Sequence, residues 1–261
     1  MPHIDANGIT LHYRIDGPED GRPLLLSNSL ASNLHMWDPQ IADLTAAGFR
    51  VIRYDSRGHG LSDAPDGAYS IAMLAEDAVA LLDGLGIERA DYCWLSKGGM
   101  VGQMLGVRHR DRVSKLILAD TSAHMPTQEM WDGRVRTVEK GGMAAVADAT
   151  IERWFTPASQ QRLKDDIDTV RDMILGTPPQ GFIGCCRAIQ AMDQRETIGG
   201  IDTPTLVIVG AEDPATTPEH AREIHGLIKG SCYVEIPEAA HFANFEQPAA
   251  FTRAMLEFLN G

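Results

Sequence analysis

Cationic residues are scarce in this chain: 23 Lys and Arg stand against 36 Asp and Glu, for a formal net charge of −13. Such a surface disfavours nucleic acid and anionic membranes as partners, and an anionic substrate needs a local cationic group to hold it. Cysteines are few as well. The four, Cys93, Cys185, Cys186 and Cys232, make no C-x-x-C pair and no His/Cys ligand spacing. That excludes a disulfide framework and a zinc site as organising elements, and the thiols read as reduced and buried. No apolar run approaches the ~18 residues of a membrane span. The first twenty residues, with Asp5, Asp16, Glu19 and Asp20, hold no apolar signal core. Internal repeats and low-complexity tracts are missing too. A soluble, cytoplasmic protein is expected, without a metal; the sequence sets no oligomeric state.

What is present is an ordinary globular composition, 44% hydrophobic and 23% charged over 261 residues. That length suits one large α/β domain or a core with an insertion. Along the chain, Ile9–Ile15, Pro23–Ser27, Arg50–Tyr54, Ala90–Leu95 and Ser114–Ala119 read as strands. The last four are short continuous apolar runs, as in strands buried on both faces. Helical stretches run from about Met36 to Ala47, from Ser70 to Leu85 and from Gly98 to Val107. Strand alternating with helix is the signature of a parallel sheet wrapped by helices. From about Thr127 to Glu196 the chain is helical, rich in Met, Arg and Trp, without a plausible buried strand. The sheet resumes with Thr205–Val209 and Cys232–Ile236, followed by helices at Pro218–Leu227 and Ala249–Leu259. The expected organisation is therefore an α/β core from 1–126 and 197–261, with a helical cap or lid at 127–196.

The chain turns on the nine residues Tyr92-Cys93-Trp94-Leu95-Ser96-Lys97-Gly98-Gly99-Met100. A serine between a strand and a glycine-led helix is the shape of a nucleophile elbow, which lifts the hydroxyl above the sheet edge. The pattern G-x-S-x-G is met except that Trp94 stands at its first glycine. An elbow serine needs an acid and then a histidine on later loops. Asp213 follows the penultimate strand in Gly210-Ala211-Glu212-Asp213-Pro214, and His241 follows the last strand in Glu238-Ala239-Ala240-His241. Their order and their common place at strand ends carry the assignment of Ser96, His241 and Asp213 as nucleophile, general base and orienting acid. Asp120, also at a strand end, is the alternative acid, and Glu212 is expected to point elsewhere. The oxyanion hole is expected from the backbone N–H groups of Leu30 and Lys97. The Lys97 ammonium is expected to be solvated or paired.

These stretches resemble the α/β-hydrolase superfamily along essentially the whole chain, and within it the 3-oxoadipate enol-lactonases. The resemblance rests on Leu26-Ser27-Asn28-Ser29-Leu30 with His35-Met36-Trp37, on Arg53-Tyr54-Asp55-Ser56-Arg57-Gly58-His59-Gly60, on Leu95-Ser96-Lys97-Gly98-Gly99-Met100, on Arg153-Trp154-Phe155 and on Ala240-His241-Phe242-Ala243-Asn244. Most relatives place His-Gly at Asn28-Ser29, so the Ser-Asn-Ser-Leu stretch is the telling one. His59 is expected to be structural. The resemblance implies a cofactor-free enzyme hydrolysing a small unsaturated lactone that bears a carboxylate, 3-oxoadipate enol-lactone. Trp131, Arg134 and Trp154 are the cap residues expected to line the pocket, with Arg134 pairing with a substrate carboxylate. Trp94 departs from the family glycine; an indole there either remodels the pocket floor or helix start, or finds room nearby. A promiscuous carboxylesterase and a non-catalytic ligand-binding member of the same fold remain as alternatives.

Overall fold

A computed structural model describes residues 2–125 and 127–261. Among them the strands are β1 (His3–Ala6), β2 (Ile9–Asp16), β3 (Arg22–Ser27), β4 (Phe49–Tyr54), β5 (Ala90–Leu95), β6 (Val113–Ala119), β7 (Thr205–Gly210) and β8 (Cys232–Ile236). They form a single sheet in the order β1-β2-β4-β3-β5-β6-β7-β8. The β1–β2 and β2–β4 pairs are antiparallel, and every later pair is parallel. Helices α1 (Asp38–Ala46), α2 (Ile71–Gly84) and α3 (Lys97–Arg108) fill the first crossovers. Between β6 and β7 come α4 (Gln128–Gly141), α5 (Ala144–Trp154), α6 (Pro157–Arg162), α7 (Lys164–Leu175) and α8 (Pro179–Gln190). The chain ends with α9 (Pro218–Leu227), the short α10 (Ala243–Glu246) and α11 (Pro248–Asn260). None of the helices in the described residues is long and apolar enough to cross a membrane.

The apolar runs read from the sequence are the middle of the sheet: Leu24, Leu25 and Leu26 of β3 and every residue of β5 are buried. Two details differ from the expectation. Strand β1 adds an antiparallel edge, turned back onto β2 by Asn7 (φ 50°) and Gly8 (φ 77°). Two central residues at positive φ make the Asn-Gly hairpin turn whose twist suits paired strands. The helix expected from about Met36 begins instead at Asp38, after a 3₁₀ turn over Leu34–Trp37. Pro39, which lacks an N–H, sits in its first turn, where a helix accepts proline.

Sheet order reverses where it matters. Strand β3 leads through α1 to β4 on one side, whereas β5 leads through α3 to β6 on the other. The loops leaving β3 and β5 therefore diverge and open a crevice at the carboxyl ends of adjacent strands, the usual place for a site in such sheets. The segment between β6 and β7 leaves and returns through a narrow neck. His124 bridges Asp193, and the Gln194 N–H donates to the Ala123 carbonyl at 2.9 Å. The expected boundary at position 126, like position 1, falls outside the described residues.

Trp94 finds room within this core. Its ring is fully buried, its indole N–H donates to the Leu25 carbonyl at 3.1 Å, and Tyr92 packs against it at 5.2 Å between centroids. Gly102 of α3 packs beside the ring, where a Cβ would stand in ordinary contact with Trp94 at 3.5 Å and more tightly against Leu118 at 3.2 Å. Helix α3 still begins directly after Ser96, and Trp94 does not line the cavity described below.

Candidate active site

Ser96 sits at the strand-to-helix turn with φ 59° and ψ −117°, a left-handed backbone that a residue with a Cβ rarely adopts. The turn is clamped on both sides. The Ser96 N–H donates to the Ala119 carbonyl at 2.9 Å, and Thr121 Oγ1 donates to the Ser96 carbonyl at 2.7 Å. The two glycines that follow have no room for side chains. A Cβ on Gly98 would meet the Ser27 carbonyl at 2.9 Å, and one on Gly99 would meet Thr121 at 2.6 Å.

Ser96 Oγ lies 2.9 Å from His241 Nε2, and His241 Nδ1 lies 2.8 Å from Asp213 Oδ2. The three come from the loops after β5, β8 and β7, so the sheet gathers residues spread over 146 positions of sequence into one hydrogen-bonded line. Asp213 is held in turn: its Oδ1 accepts from the N–H groups of Ala215 (2.7 Å) and Thr216 (3.0 Å), and its Oδ2 accepts from Thr216 Oγ1 (2.8 Å). A buried carboxylate needs such donors to remain charged away from water. Glu212 is exposed, as expected.

Asp120, the alternative acid, does not reach His241. Its Oδ1 accepts from the Gly210 N–H at 2.7 Å, which ties the end of β6 to β7. Burial first, and then the charge of Asp213, push the Asp120 carboxyl well above the usual carboxylate range. Placed this way, the carboxyl is a structural link between strands.

The loop after β3 carries Leu30, and α3 opens with Lys97; among the described residues neither backbone N–H donates to a loop or turn carbonyl. The loop is braced by a residue whose part the sequence left unspecified. The N–H of Ala31 (φ 63°) donates to His59 Nε2 at 3.0 Å, and His59 Nδ1 donates to the Arg57 carbonyl at 3.1 Å. With Nε2 accepting, His59 must be neutral. Burial, helped by the Lys97 charge, pushes its pKa well below the ordinary histidine value. The Lys97 ammonium is not solvated: it is buried, donates to Ser56 Oγ, and has its pKa lowered by burial.

Above Ser96 and His241 lies a cavity of about 150 Å³, roofed by α4, α5 and α8. Trp131, Arg134 and Trp154 all line it, as do Arg153 and Thr150 of α5, which the sequence reading had not assigned. The Arg134 guanidinium lies 4.6 Å over the Trp131 ring. Trp154 stacks on Phe242, with centroids 4.1 Å apart and planes at 10°, and its carbonyl accepts from the Phe242 N–H at 3.0 Å. The roof is thereby fixed to the loop that carries His241. Buried Glu246 fastens the same junction, with Oε1 accepting from the Thr156 N–H at 2.7 Å and Oε2 from the Ala240 N–H at 2.5 Å. The charged group was visible in the sequence, but nothing local marked it as buried.

A strand-ended serine, histidine and aspartate on a sheet of this order define a class, and known proteins agree. The family model for the alpha/beta hydrolase fold matches residues 22–248. The chain belongs to that family and is an enzyme of the carboxylic ester hydrolase kind. It is similar to 3-oxoadipate enol-lactonase 2 of Acinetobacter baylyi, 36% identical over 97% of this chain and 94% of that one. Its structure resembles the enol-lactonase from Burkholderia xenovorans LB400, with a TM-score of 0.97 and 42% identity covering the whole of both chains. A thermophilic esterase from Thermogutta terrifontis, solved with malate bound, superposes with a TM-score of 0.93 at 30% identity, over 100% of this chain and 98% of that one.

Proposed function

We propose that this protein hydrolyses a small carboxylate-bearing ester or lactone, with 3-oxoadipate enol-lactone as the preferred substrate. The observation that carries the reading is the continuous Ser96–His241–Asp213 line beneath a small cavity lined by arginine. His241 Nε2 accepts the Ser96 proton as Oγ attacks the carbonyl carbon, and the carbonyl π electrons move onto oxygen. That oxyanion is held by the N–H groups of Leu30 and Lys97. Collapse breaks the ring C–O bond, and the proton on His241 passes to the departing oxygen. An enol leaves readily because it becomes the ketone. Water, deprotonated by His241, then attacks the acyl-enzyme and frees the carboxylate and Ser96. Asp213 holds the imidazole so that Nε2 faces Ser96, and it stabilises the imidazolium formed in each half.

In this reading residues 127–196 act as a cap that encloses the substrate, with Trp131, Arg134 and Trp154 lining it. The similarity to the Acinetobacter and Burkholderia enol-lactonases supports the lactone. The malate held by the Thermogutta esterase supports an acidic ligand, and that relative also supports a second reading as a broader carboxylesterase. Steady-state hydrolysis of the enol-lactone beside 4-nitrophenyl acetate, with Ser96→Ala as control, tests both. Turnover of the lactone that vanishes in Ser96→Ala is expected. Cleavage of the aryl ester alone would overturn the lactone in favour of the esterase.

A further inference from the structure

Of the arginines on the inserted helices, exposed Arg136 and Arg162, which donates to the Glu246 carbonyl at 2.8 Å, stand outside the cavity above Ser96. Arg171 pairs with Asp148 at 2.5 Å, and Arg187 pairs with Asp132. Arg134 and Arg153, by contrast, make no ion pair among the described residues, although the chain carries 36 acidic residues. Both line the cavity above Ser96. Among the described residues, the one hydrogen bond from the Arg153 guanidinium runs 3.2 Å to Thr150 Oγ1, one turn back on the same helix. Arg134 has the Trp131 ring and, among the described residues, no hydrogen-bond acceptor. The Trp131 indole N–H, also on the cavity wall, is buried without a partner.

Two cations drawn into one small apolar cavity repel one another, and each has lost part of its hydration. The molecule registers this: Arg153 is pushed down to about 10 by burial first and by the Arg134 charge second. Arg134 is lowered too, by its burial. Glu152, beside Arg153 in sequence, is exposed and acts on it only as a more distant charge, less than burial or Arg134 does. Donors without acceptors and positive charge without a counterion describe the complement of a carboxylate.

We infer that Arg153 is a specificity-determining residue which, with Arg134, forms a two-guanidinium clamp for a carboxylate on the acyl part of the substrate. The clamp rests on the reading of this cavity as an ester-hydrolysing site. It lies on α4 and α5, whereas Ser96 and His241 lie on the sheet side, so the substrate spans the cavity with its scissile carbonyl at one end and its anion at the other. The second cation makes selection between anionic and neutral esters steeper than a single arginine does. A neutral acyl group leaves two half-buried cations uncompensated.

The test is the ratio of kcat/KM for 4-nitrophenyl hemiglutarate to that for 4-nitrophenyl butyrate, measured for the parent, Arg153→Met, Arg153→Gln and Arg153→Lys. The ratio is expected to fall by about 30- to 100-fold in both neutral variants, with part regained in Arg153→Lys, as for truncation of one member of a buried charge pair. Two neutral variants of different shape keep a packing defect in one from deciding the result. Arg136→Met removes an equal charge from an exposed position and is expected to leave the ratio unchanged, which separates contact from the long-range field. A ratio within about twofold of the parent in both neutral variants overturns the clamp. If the parent cleaves neither these esters nor the enol-lactone, the hydrolytic reading falls. Calorimetry then judges the clamp alone, using glutarate against neutral glutaramide. Glutarate binding weakened at least tenfold by Arg153→Gln supports it, and unchanged binding overturns it.

Discussion

The Ala31 N–H donates to His59 Nε2, joining the loop that carries Leu30 to the turn after β4. The contact requires a neutral ring, and the His59 pKa is lowered well below the ordinary value. The unfolded chain binds a proton at His59 below about pH 6.5, while the folded chain does not. Stability from this group is therefore present above about pH 6.5 and is lost as pH falls toward the folded pKa. Urea unfolding across pH 4.5–8 is expected to show parent and His59→Gln converging on the acid side, with a slope of at most about 1.4 kcal/mol per pH unit. A constant gap would contradict the neutral brace.

Asp213 and Asp120 separate cleanly. In Asp213→Asn the amide oxygen stays with the Ala215 and Thr216 N–H groups and the NH2 turns toward His241 Nδ1, so kcat is expected to fall by about 10⁴-fold, with Asp120 giving no rescue. Asp120→Asn keeps an oxygen for the Gly210 N–H, so activity within about threefold is expected. Above neutrality this variant should match or exceed the parent in stability, since the native fold disfavours an ionised Asp120. Ester hydrolysis and thermal unfolding measure the two effects.

Restoring the family glycine at position 94 is expected to harm rather than repair. Trp94→Gly vacates a fully buried indole and strips the Leu25 carbonyl of its donor. A loss of about 3–5 kcal/mol follows from comparable core deletions. Because Trp94 is outside the cavity, kcat/KM of the protein that remains folded should stay within a few-fold. Chemical denaturation beside ester kinetics separates these two quantities.

Removing the Glu246 carboxylate is expected to loosen the His241 loop without touching the reacting atoms. Glu246→Ala leaves the N–H groups of Thr156 and Ala240 without acceptors inside the protein. A destabilisation of about 2–4 kcal/mol is expected from two orphaned buried donors. Hydrogen exchange at residues 238–246 should rise in the variant, and unchanged protection would argue against the buttress.

Much of the fold was legible because it is written in local chemistry. Apolar runs at 24–26, 90–95 and 205–209 are too short for helices and too continuous for exposed strands, so they declare a sheet buried on both faces. A parallel sheet places every following loop at the same edge, and that rule drew Ser96, Asp213 and His241 together before any distance was known. The Asn7-Gly8 turn was equally legible and marks the hairpin of β1 that the reading passed over. Other features have no local mark. Asp120 and Asp213 are both aspartates at strand ends, and only packing across the sheet makes one a strut and the other the partner of His241. The sequence alone thus determined the sheet and the placing of Ser96, Asp213 and His241 after its strands. Tertiary structure decided which groups face inward together: the space for Trp94 beside Gly102, the brace of His59 under Ala31, and Arg134 and Arg153 in one cavity without a counterion. The physical reason is that strand character follows from neighbours in the chain, whereas burial and charge pairing follow from neighbours in space.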